Sequence, residues 1–175
     1  DLTTLGRIYV AQEGINAQIS IPQTNLDAFK QVLNDIDFLK GIRLNYAIED
    51  DGKSFFKLII KHRKKIVADG IEDPDFDATQ CGVHLDAAAF NELCNQPDTI
   101  VVDMRNHYES EIGHFEHAIT PDVVTFRESL PIIAEQLKEQ AHKKILMYCT
   151  GGIRCEKASA YMKYKGYKNV FQLNG

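Results

Sequence analysis

Several features are scarce or missing in this sequence, and each absence excludes a class of protein. No apolar run approaches the roughly 20 residues that a helix needs to cross a bilayer, so no membrane protein is predicted. The four cysteines in 175 residues lack the density of a small secreted scaffold, which predicts reduced thiols in a cytoplasmic protein. The net charge of −5 argues against strong sequence-independent binding to nucleic acid, although a local basic surface is still allowed.

Cofactor and metal motifs are also absent from the sequence. There is no glycine-rich dinucleotide fingerprint, no convincing iron triad and no haem motif, so no cofactor is identifiable. His114 and His117 could in principle bind a metal ion, but no cysteine or acid stands at a matching spacing. A hydrogen-bonded loop histidine is the favoured interpretation of His114, and we predict no metal site.

One stretch, residues 144–159, combines a short apolar run, a glycine-containing turn and a helical pattern. We predict a strand that ends at Cys149, a tight loop through Gly151 and Gly152, and a helix. The N–H groups of such a loop and the positive end of the helix favour a thiolate, which is the nucleophilic form of cysteine. Arg154 adds a permanent positive charge nearby. These neighbours favour a catalytic Cys149 over a buried cysteine that merely ends a strand.

The length of the loop distinguishes two kinds of cysteine chemistry. A phosphatase-type loop needs one residue more than the four that separate Cys149 from Arg154. The shorter loop fits a smaller group on sulfur, such as the outer sulfur of a persulfide. Cys155 could attack such a group and form a disulfide, but a position facing the core is favoured. The other predicted loop residues are Thr150, Gly151, Gly152, Ile153 and Cys155.

The first part of the chain has the pattern of a small α+β domain. Two strand-like runs, residues 8–11 and 17–21, flank a glycine-containing connection. Asn25 is placed as the N-cap of a helix that follows. Apolar alternation over residues 41–48 and the apolar run at residues 55–60 predict two more strands.

Residues 69–83 contain glycine, proline and aspartate but few apolar side chains, which predicts a linker between residues 1–68 and residues 84–175. Cys81, within it, is predicted to have no chemical role. In the second domain, apolar runs alternate with helical patterns, including a helix over residues 131–142. This predicts a three-layer α/β domain with a parallel sheet, which binds ligands at the carboxyl ends of its strands.

Motifs spread along the chain resemble those of the rhodanese family, and within it the bacterial tRNA uridine hydroxylases. The matching segments are residues 13–16, 103–109 and 112–115, and the loop Cys149-Thr150-Gly151-Gly152-Ile153-Arg154-Cys155-Glu156-Lys157. The resemblance implies a rhodanese-like domain preceded by a smaller ferredoxin-like domain. It also implies that both domains are incomplete, because family members extend beyond Asp1 and Gly175.

The resemblance implies a function that the residues alone do not show. Family members hydroxylate the wobble uridine of tRNA to 5-hydroxyuridine, with molecular oxygen as co-substrate, so we expect the tRNA anticodon region as partner. The loop chemistry itself supports an alternative more directly, namely a sulfurtransferase with a persulfide on Cys149. A non-catalytic scaffold is disfavoured because it needs neither Cys149 nor Arg154. Nothing in the sequence predicts the oligomeric state.

Further residues are assigned to the pocket and to RNA. Phe126 and Arg127 are candidate pocket residues because the family has a similar segment there. Arg105 is a second candidate, although a structural ion pair of Asp103 and Arg105, with Glu109 in reach, is the favoured interpretation. The candidates for RNA contact form two groups. The dense basic run supplies Lys61, Arg63, Lys64 and Lys65, and the two lysines near the loop are Lys157 and Lys163.

Overall fold

The structure, a computed structural model, describes residues 2–47 and 54–174. The chain divides into two compact units, Asp1–Ile66 and Val67–Gly175. Residues 69–83, interpreted as a linker from sequence, are therefore part of the second unit, where the Asp69 side chain is buried. None of the described helices combines the length and the apolar character required for a bilayer crossing.

The first unit contains a three-stranded sheet and a helix in its described part. Strands β1 (Leu5–Ala11) and β2 (Gly14–Ser20) form an antiparallel hairpin. Helix α1 (Leu26–Asp35) follows, and strand β3 (Leu58–His62) then pairs in parallel with β1. The sheet order is β2-β1-β3, so β1 is the central strand. This arrangement confirms the predicted small α+β domain.

Some local predictions for this unit differ from the structure. Asn25 does precede α1, but its side chain donates to the Leu2 carbonyl at 3.1 Å and does not cap the helix. The predicted strand at residues 41–48 is wrong for residues 41–47, which form a turn and irregular backbone, and Ile48 lies outside the described residues. Alternation alone forms no strand without a hydrogen-bonded neighbour, and residues 41–47 pair with none of the described strands. The strand predicted from residue 55 begins only at Leu58.

The second unit is built on a parallel sheet in the order β4-β7-β6-β5. Its strands are β4 (Val83–Leu85), β5 (Thr99–Asp103), β6 (Lys144–Tyr148) and β7 (Val170–Leu173). Its helices are α2 (Ala87–Cys94), α3 (His107–Ile112), α4 (Phe126–Gln136) and α5 (Ile153–Tyr164).

Two apolar clusters, one on each face of this sheet, hold the layers together. Because side chains alternate along a strand, Ile145 and Met147 of β6 pack with residues of α4 and α5. Leu146 and Tyr148 point to the other face and pack with Phe90 of α2. The predicted three-layer α/β domain with a parallel sheet is therefore confirmed.

Helix α4 begins at Phe126 and not at Pro131, which lies inside the helix. The Thr125 N–H donates to the Glu128 carboxylate at 2.9 Å, as in a capping box, and this fixes the earlier start. As the first residue of α4, Phe126 turns into the core and is only 7% exposed. It belongs to the apolar cluster beneath the helix and not to an open pocket.

Candidate active site

Cys149 follows the last residue of β6 and lies at the carboxyl end of the parallel sheet. Its half-buried side chain lines an open cleft of about 430 Å³ in the second unit. The cleft is lined by Arg105, Gly113, His114, Phe115, Tyr148, Cys149, Thr150 and Leu173. A ligand in this cleft can therefore reach the Cys149 sulfur.

The loop after Cys149 directs backbone N–H groups at the sulfur. Gly152, immediately before α5, has a φ of 84°, a conformation that residues with a Cβ rarely adopt. This turn brings the N–H groups of Gly151 and Cys155 into hydrogen bonds with the Cys149 sulfur. The predicted amide-lined turn is present, and glycine is required at Gly152.

Cys149 is a thiolate near neutral pH. A hydrogen bond from the Cys155 thiol is the largest influence that lowers the pKa of Cys149 to about 6. The Cys155 N–H, the charge of Arg154 and the Gly151 N–H act in the same direction, whereas burial opposes them. Burial raises the pKa of Cys155 well above its usual value, so Cys155 keeps its proton and remains a donor.

The sequence leaves two interpretations of Cys155 open, a residue that faces the core and a resolving cysteine, and the structure has features of both. Its side chain is fully buried and belongs to the cluster beneath α5, as expected for a residue that faces the core. Its thiol nevertheless contacts Cys149, which is the position that a resolving cysteine would need. A resolving role for Cys155 stays a prediction.

Arg154 is held in place by Glu109, a residue of α3. The Arg154 guanidinium donates to both carboxylate oxygens of Glu109, at 2.6 and 2.9 Å. The Thr150 hydroxyl also donates to Glu109, at 2.9 Å. These hydrogen bonds lower the pKa of Glu109 to about 2, and the bond from Arg154 has the largest effect. Glu109 thus holds both ends of the loop. The Asn106-x-x-Glu109 capping pattern predicts only the contact of Glu109 with the Asn106 N–H.

Asp103 and Arg105 form the structural ion pair favoured from sequence. Arg105 Nη2 lies 2.7 Å from Asp103 Oδ2, and Arg105 Nε bonds to the same carboxylate at 3.0 and 3.1 Å. The Tyr148 hydroxyl donates to Asp103 at 2.7 Å and accepts from the Phe115 N–H at 3.2 Å. The pair braces one wall of the cleft, and Glu109 takes no part because it binds Arg154.

The structure separates the predicted pocket residues. Arg105 lines the cleft. Phe126 and Arg127 are not among its lining residues, since Phe126 faces the core and Arg127 is exposed on α4. His114 is hydrogen bonded through Nδ1 to the Ser110 carbonyl at 2.9 Å, as favoured from sequence.

Lys157 is wrong as an RNA-contact residue. Its side chain is 1% exposed, and its Nζ lies 2.8 Å from Asp69 Oδ2. The same ammonium lies 5.4 Å from the centroid of the Phe76 ring. The segment before β4 packs over this side of α5, so the helix face that bears Lys157 is covered. No local pattern in the sequence pairs Asp69 with Lys157.

The other RNA-contact candidates lie at the surface. Lys61 is in β3, and Arg63 and Lys64 follow this strand as exposed residues, whereas Lys65 is half-buried. The Arg63 guanidinium lies over the Tyr9 ring at 5.5 Å. Lys163 is exposed on α5, where its Nζ donates to the Cys81 carbonyl at 3.1 Å.

Family models match both units. The first 66 residues match the UPF0176 acylphosphatase-like domain. Residues 86–175, about half of the chain, match the rhodanese-like domain. The chain belongs to the rhodanese-like family. The loop from Cys149 to Arg154 lies within the residues that match this domain.

Similarity to curated proteins extends over the whole chain. It is 56% identical to the tRNA uridine(34) hydroxylase of Photorhabdus laumondii, over 100% of the chain and 50% of that protein. It is 57% identical to the protein of the same name in Salmonella typhimurium, over 99% of the chain and 50% of that protein. These matches confirm the predicted resemblance. The chain spans about half the length of the curated relatives it matches.

Two solved structures are more distant from this chain. A single-domain sulfurtransferase of Saccharomyces cerevisiae is 19% identical, with a TM-score of 0.44 over 55% of this chain and 86% of that one. A protein of unknown function from Rhodopseudomonas palustris, described as a possible tyrosine phosphatase, is 24% identical. Its TM-score is 0.47 over 54% of this chain and 75% of that one. At these levels neither structure bears on function.

Proposed function

We propose that this chain is part of an enzyme that hydroxylates uridine 34 of tRNA. The observation that supports the proposal most is the 57% identity, over almost the whole chain, to a protein named tRNA uridine(34) hydroxylase. In this proposal the partner is the anticodon region of tRNA and the product is 5-hydroxyuridine. Molecular oxygen is the expected co-substrate. A tRNA substrate also leads us to expect the protein in the cytoplasm.

The side chains of the loop have distinct roles in the proposed site. Cys149 is the catalytic residue, because its thiolate is a nucleophile and Cys149 lines the cleft. The N–H groups of Gly151 and Cys155 stabilise its negative charge. Glu109 is a positioning residue, since it acts through Arg154 and Thr150. Among the described residues of the second unit, Cys149 is the only cysteine that has a lowered pKa and also lines the cleft.

Analysis of wobble nucleosides tests the proposal. A bacterial strain that lacks its own relative is complemented with the full-length protein that contains this chain, or with its Cys149→Ser variant. The tRNA is then digested and its nucleosides are weighed by mass spectrometry. We expect wild type, but not Cys149→Ser, to restore the nucleoside that is one oxygen atom heavier than uridine. Equal restoration by both proteins would contradict the proposed role of Cys149.

The thiolate itself favours a second candidate function, sulfur transfer. A thiolate with a pKa of about 6 in a rhodanese-like loop can attack the outer sulfur of a donor persulfide. The S–S bond of the donor breaks, the donor leaves as a thiolate, and the transferred sulfur stays on Cys149 as a persulfide. The same nucleoside analysis distinguishes the candidates. Loss of a thiolated nucleoside in the Cys149→Ser strain, with hydroxylated uridine unchanged, would support the sulfurtransferase and exclude the hydroxylase.

The basic run of the first unit is our proposed contact to the tRNA backbone. Lys61, Arg63 and Lys64 are exposed side by side at the end of β3. Each phosphate contact that is removed should reduce the salt slope of binding by roughly 0.7–0.9. We therefore expect the triple alanine variant to bind tRNA more weakly and with a flatter salt dependence. A matched variant in which exposed Lys40 and Lys168 become alanine should bind like wild type, and equal loss in both variants would contradict a local contact.

A further inference from the structure

We propose that Cys81, His84 and Glu156 form a binding site for a divalent metal ion of the zinc class. The Cys81 sulfur, a ring nitrogen of His84 and a carboxylate oxygen of Glu156 all lie within 4.8 Å of one another. Cys81 precedes β4, His84 lies in β4 and Glu156 lies in the first turn of α5. Within residues 2–47 and 54–174, no other three ligating side chains converge in this way.

The donor set and its dimensions suit zinc. Thiolate, imidazole and carboxylate are its usual protein ligands, at about 2.3, 2.0–2.1 and 2.0–2.2 Å. Ligand atoms of such a tetrahedral site lie roughly 3.5 Å apart, so the three atoms need to move only by about an ångström. The His84 Nε2 and Glu156 Oε1 atoms are 2.7 Å apart in a hydrogen bond. A metal ion would replace the proton that these two atoms share.

The neighbouring residues hold the ligands in position. Gln172 of β7 donates to Glu156 Oε2 at 3.3 Å and to the Gly82 carbonyl at 3.2 Å. The Gly82 N–H donates to the Ser159 hydroxyl at 2.8 Å, which fixes the backbone next to Cys81. A Cβ on Gly82 would lie 2.8 Å from the Val170 carbonyl oxygen, so the close approach needs glycine. Outer contacts of this kind orient metal ligands.

The site is open to solvent and separate from the active cleft. The side chains of His84 and Glu156 are 36% and 30% exposed, so an ion can enter and a water molecule can complete its coordination. None of the three ligands lines the cleft beside Cys149.

Cobalt is the probe that tests this site, because a cobalt–thiolate bond absorbs strongly in the near ultraviolet. Reduced Cys149→Ser protein is titrated with Co²⁺, and Zn²⁺ is then added as competitor. This parent variant removes Cys149, the thiol with a lowered pKa that would compete for cobalt. We expect one Co²⁺ per chain, a thiolate–cobalt band and its loss when Zn²⁺ displaces the cobalt.

Single substitutions in the same parent identify the ligands. Cys81→Ser should abolish the thiolate band. His84→Ala should weaken Zn²⁺ binding by at least about 100-fold, because loss of a residue outside the coordination sphere lowers metal affinity by up to about 100-fold. His84 is exposed, so this variant should fold. The matched control is His117→Ala, because His117 is 90% exposed beside Glu116. The proposal is overturned if no band appears, or if wild type shows the band and the Cys149→Ser parent does not. Equal Zn²⁺ affinity of the His84→Ala and His117→Ala proteins would also overturn it.

Discussion

Removal of the Cys155 thiol should raise the pKa of Cys149 and slow its reactions near pH 6. With a pKa of about 6, Cys149 is roughly 90% thiolate at pH 7. A hydrogen bond to a charged group contributes about 1.5–3 kcal/mol, and 1.36 kcal/mol corresponds to one pH unit. Cys155→Ala should therefore move the Cys149 pKa to roughly 7–8. Cys155→Ser keeps a donor and should move it less.

Alkylation by iodoacetamide between pH 5 and pH 9 measures this pKa. The reaction is selective, since the pKa values of Cys81, Cys94 and Cys155 are all raised and Cys155 is also buried. Mass spectrometry of the alkylated peptide identifies Cys149, and Cys94→Ala serves as the matched control. A wild-type midpoint at the usual thiol value, or an equal midpoint in the Cys155→Ala protein, would refute the argument that a neutral thiol stabilises the thiolate.

The same pKa predicts how stability changes with pH. Folding lowers the pKa of Cys149 from 9.0 to about 6, so the unfolded chain binds more protons than the folded chain between these values. The free energy of unfolding should therefore rise with pH from about 6 to 9, by up to a few kcal/mol. Below pH 6 this contribution is absent. Urea unfolding of wild type and Cys149→Ser at pH 5, 7 and 8.5 measures it, and parallel curves would contradict it.

Two ion pairs give the remaining predictions. The ion pair of Glu109 with Arg154 should stabilise the folded chain fully above pH 4.5, the usual pKa of Glu. This stabilisation should be lost as the pH falls towards 2. Glu109→Gln should therefore remove this pH dependence from acid unfolding curves. The same variant should lower the free energy of unfolding at pH 7 by about 1.5–3 kcal/mol. Lys157→Met or Asp69→Asn breaks a buried pair and should cost about 3–5 kcal/mol in urea unfolding, whereas Lys168→Met at the surface should stay within about 0.5 kcal/mol. A Lys157→Met effect no larger than that of the control would show that the pair is not important for stability.

The parts of the fold that are local in sequence could be predicted, and the active loop is the clearest case. An apolar run, a cysteine and two glycines define the end of β6, the turn and the start of α5 without any distant contact. Gly152 marks the backbone position with positive φ, and four intervening residues place Arg154 in the first turn of α5. The continuous apolar runs of β5 and β6 likewise predict buried strands of a parallel sheet that is covered on both faces.

Contacts between distant residues could not be predicted, because charge and spacing do not identify a partner. Lys157 lies in a basic and polar helix pattern, yet it pairs with Asp69, far away in sequence, and is buried. Cys81 was placed in a linker, yet the packing of residues 67–83 on the second unit brings it to Glu156. The start of α4 at Phe126 is different in kind, because the Thr125–Glu128 capping pattern stands in the sequence and places the start ahead of Pro131.

The pairing of Arg154 with Glu109 changes how the charge of the active loop is understood. Because both carboxylate oxygens of Glu109 bind Arg154, the arginine charge is largely compensated within the loop. The Cys149 thiolate is then stabilised mainly by neutral donors, the Cys155 thiol and two backbone N–H groups. Asp103 and Arg105 also compensate each other, so the ionised groups around the sulfur sum to one negative charge. Such a site does not itself attract a polyanion such as tRNA, and the proposed enzyme therefore needs a separate basic surface, for which Lys61, Arg63 and Lys64 are the candidates.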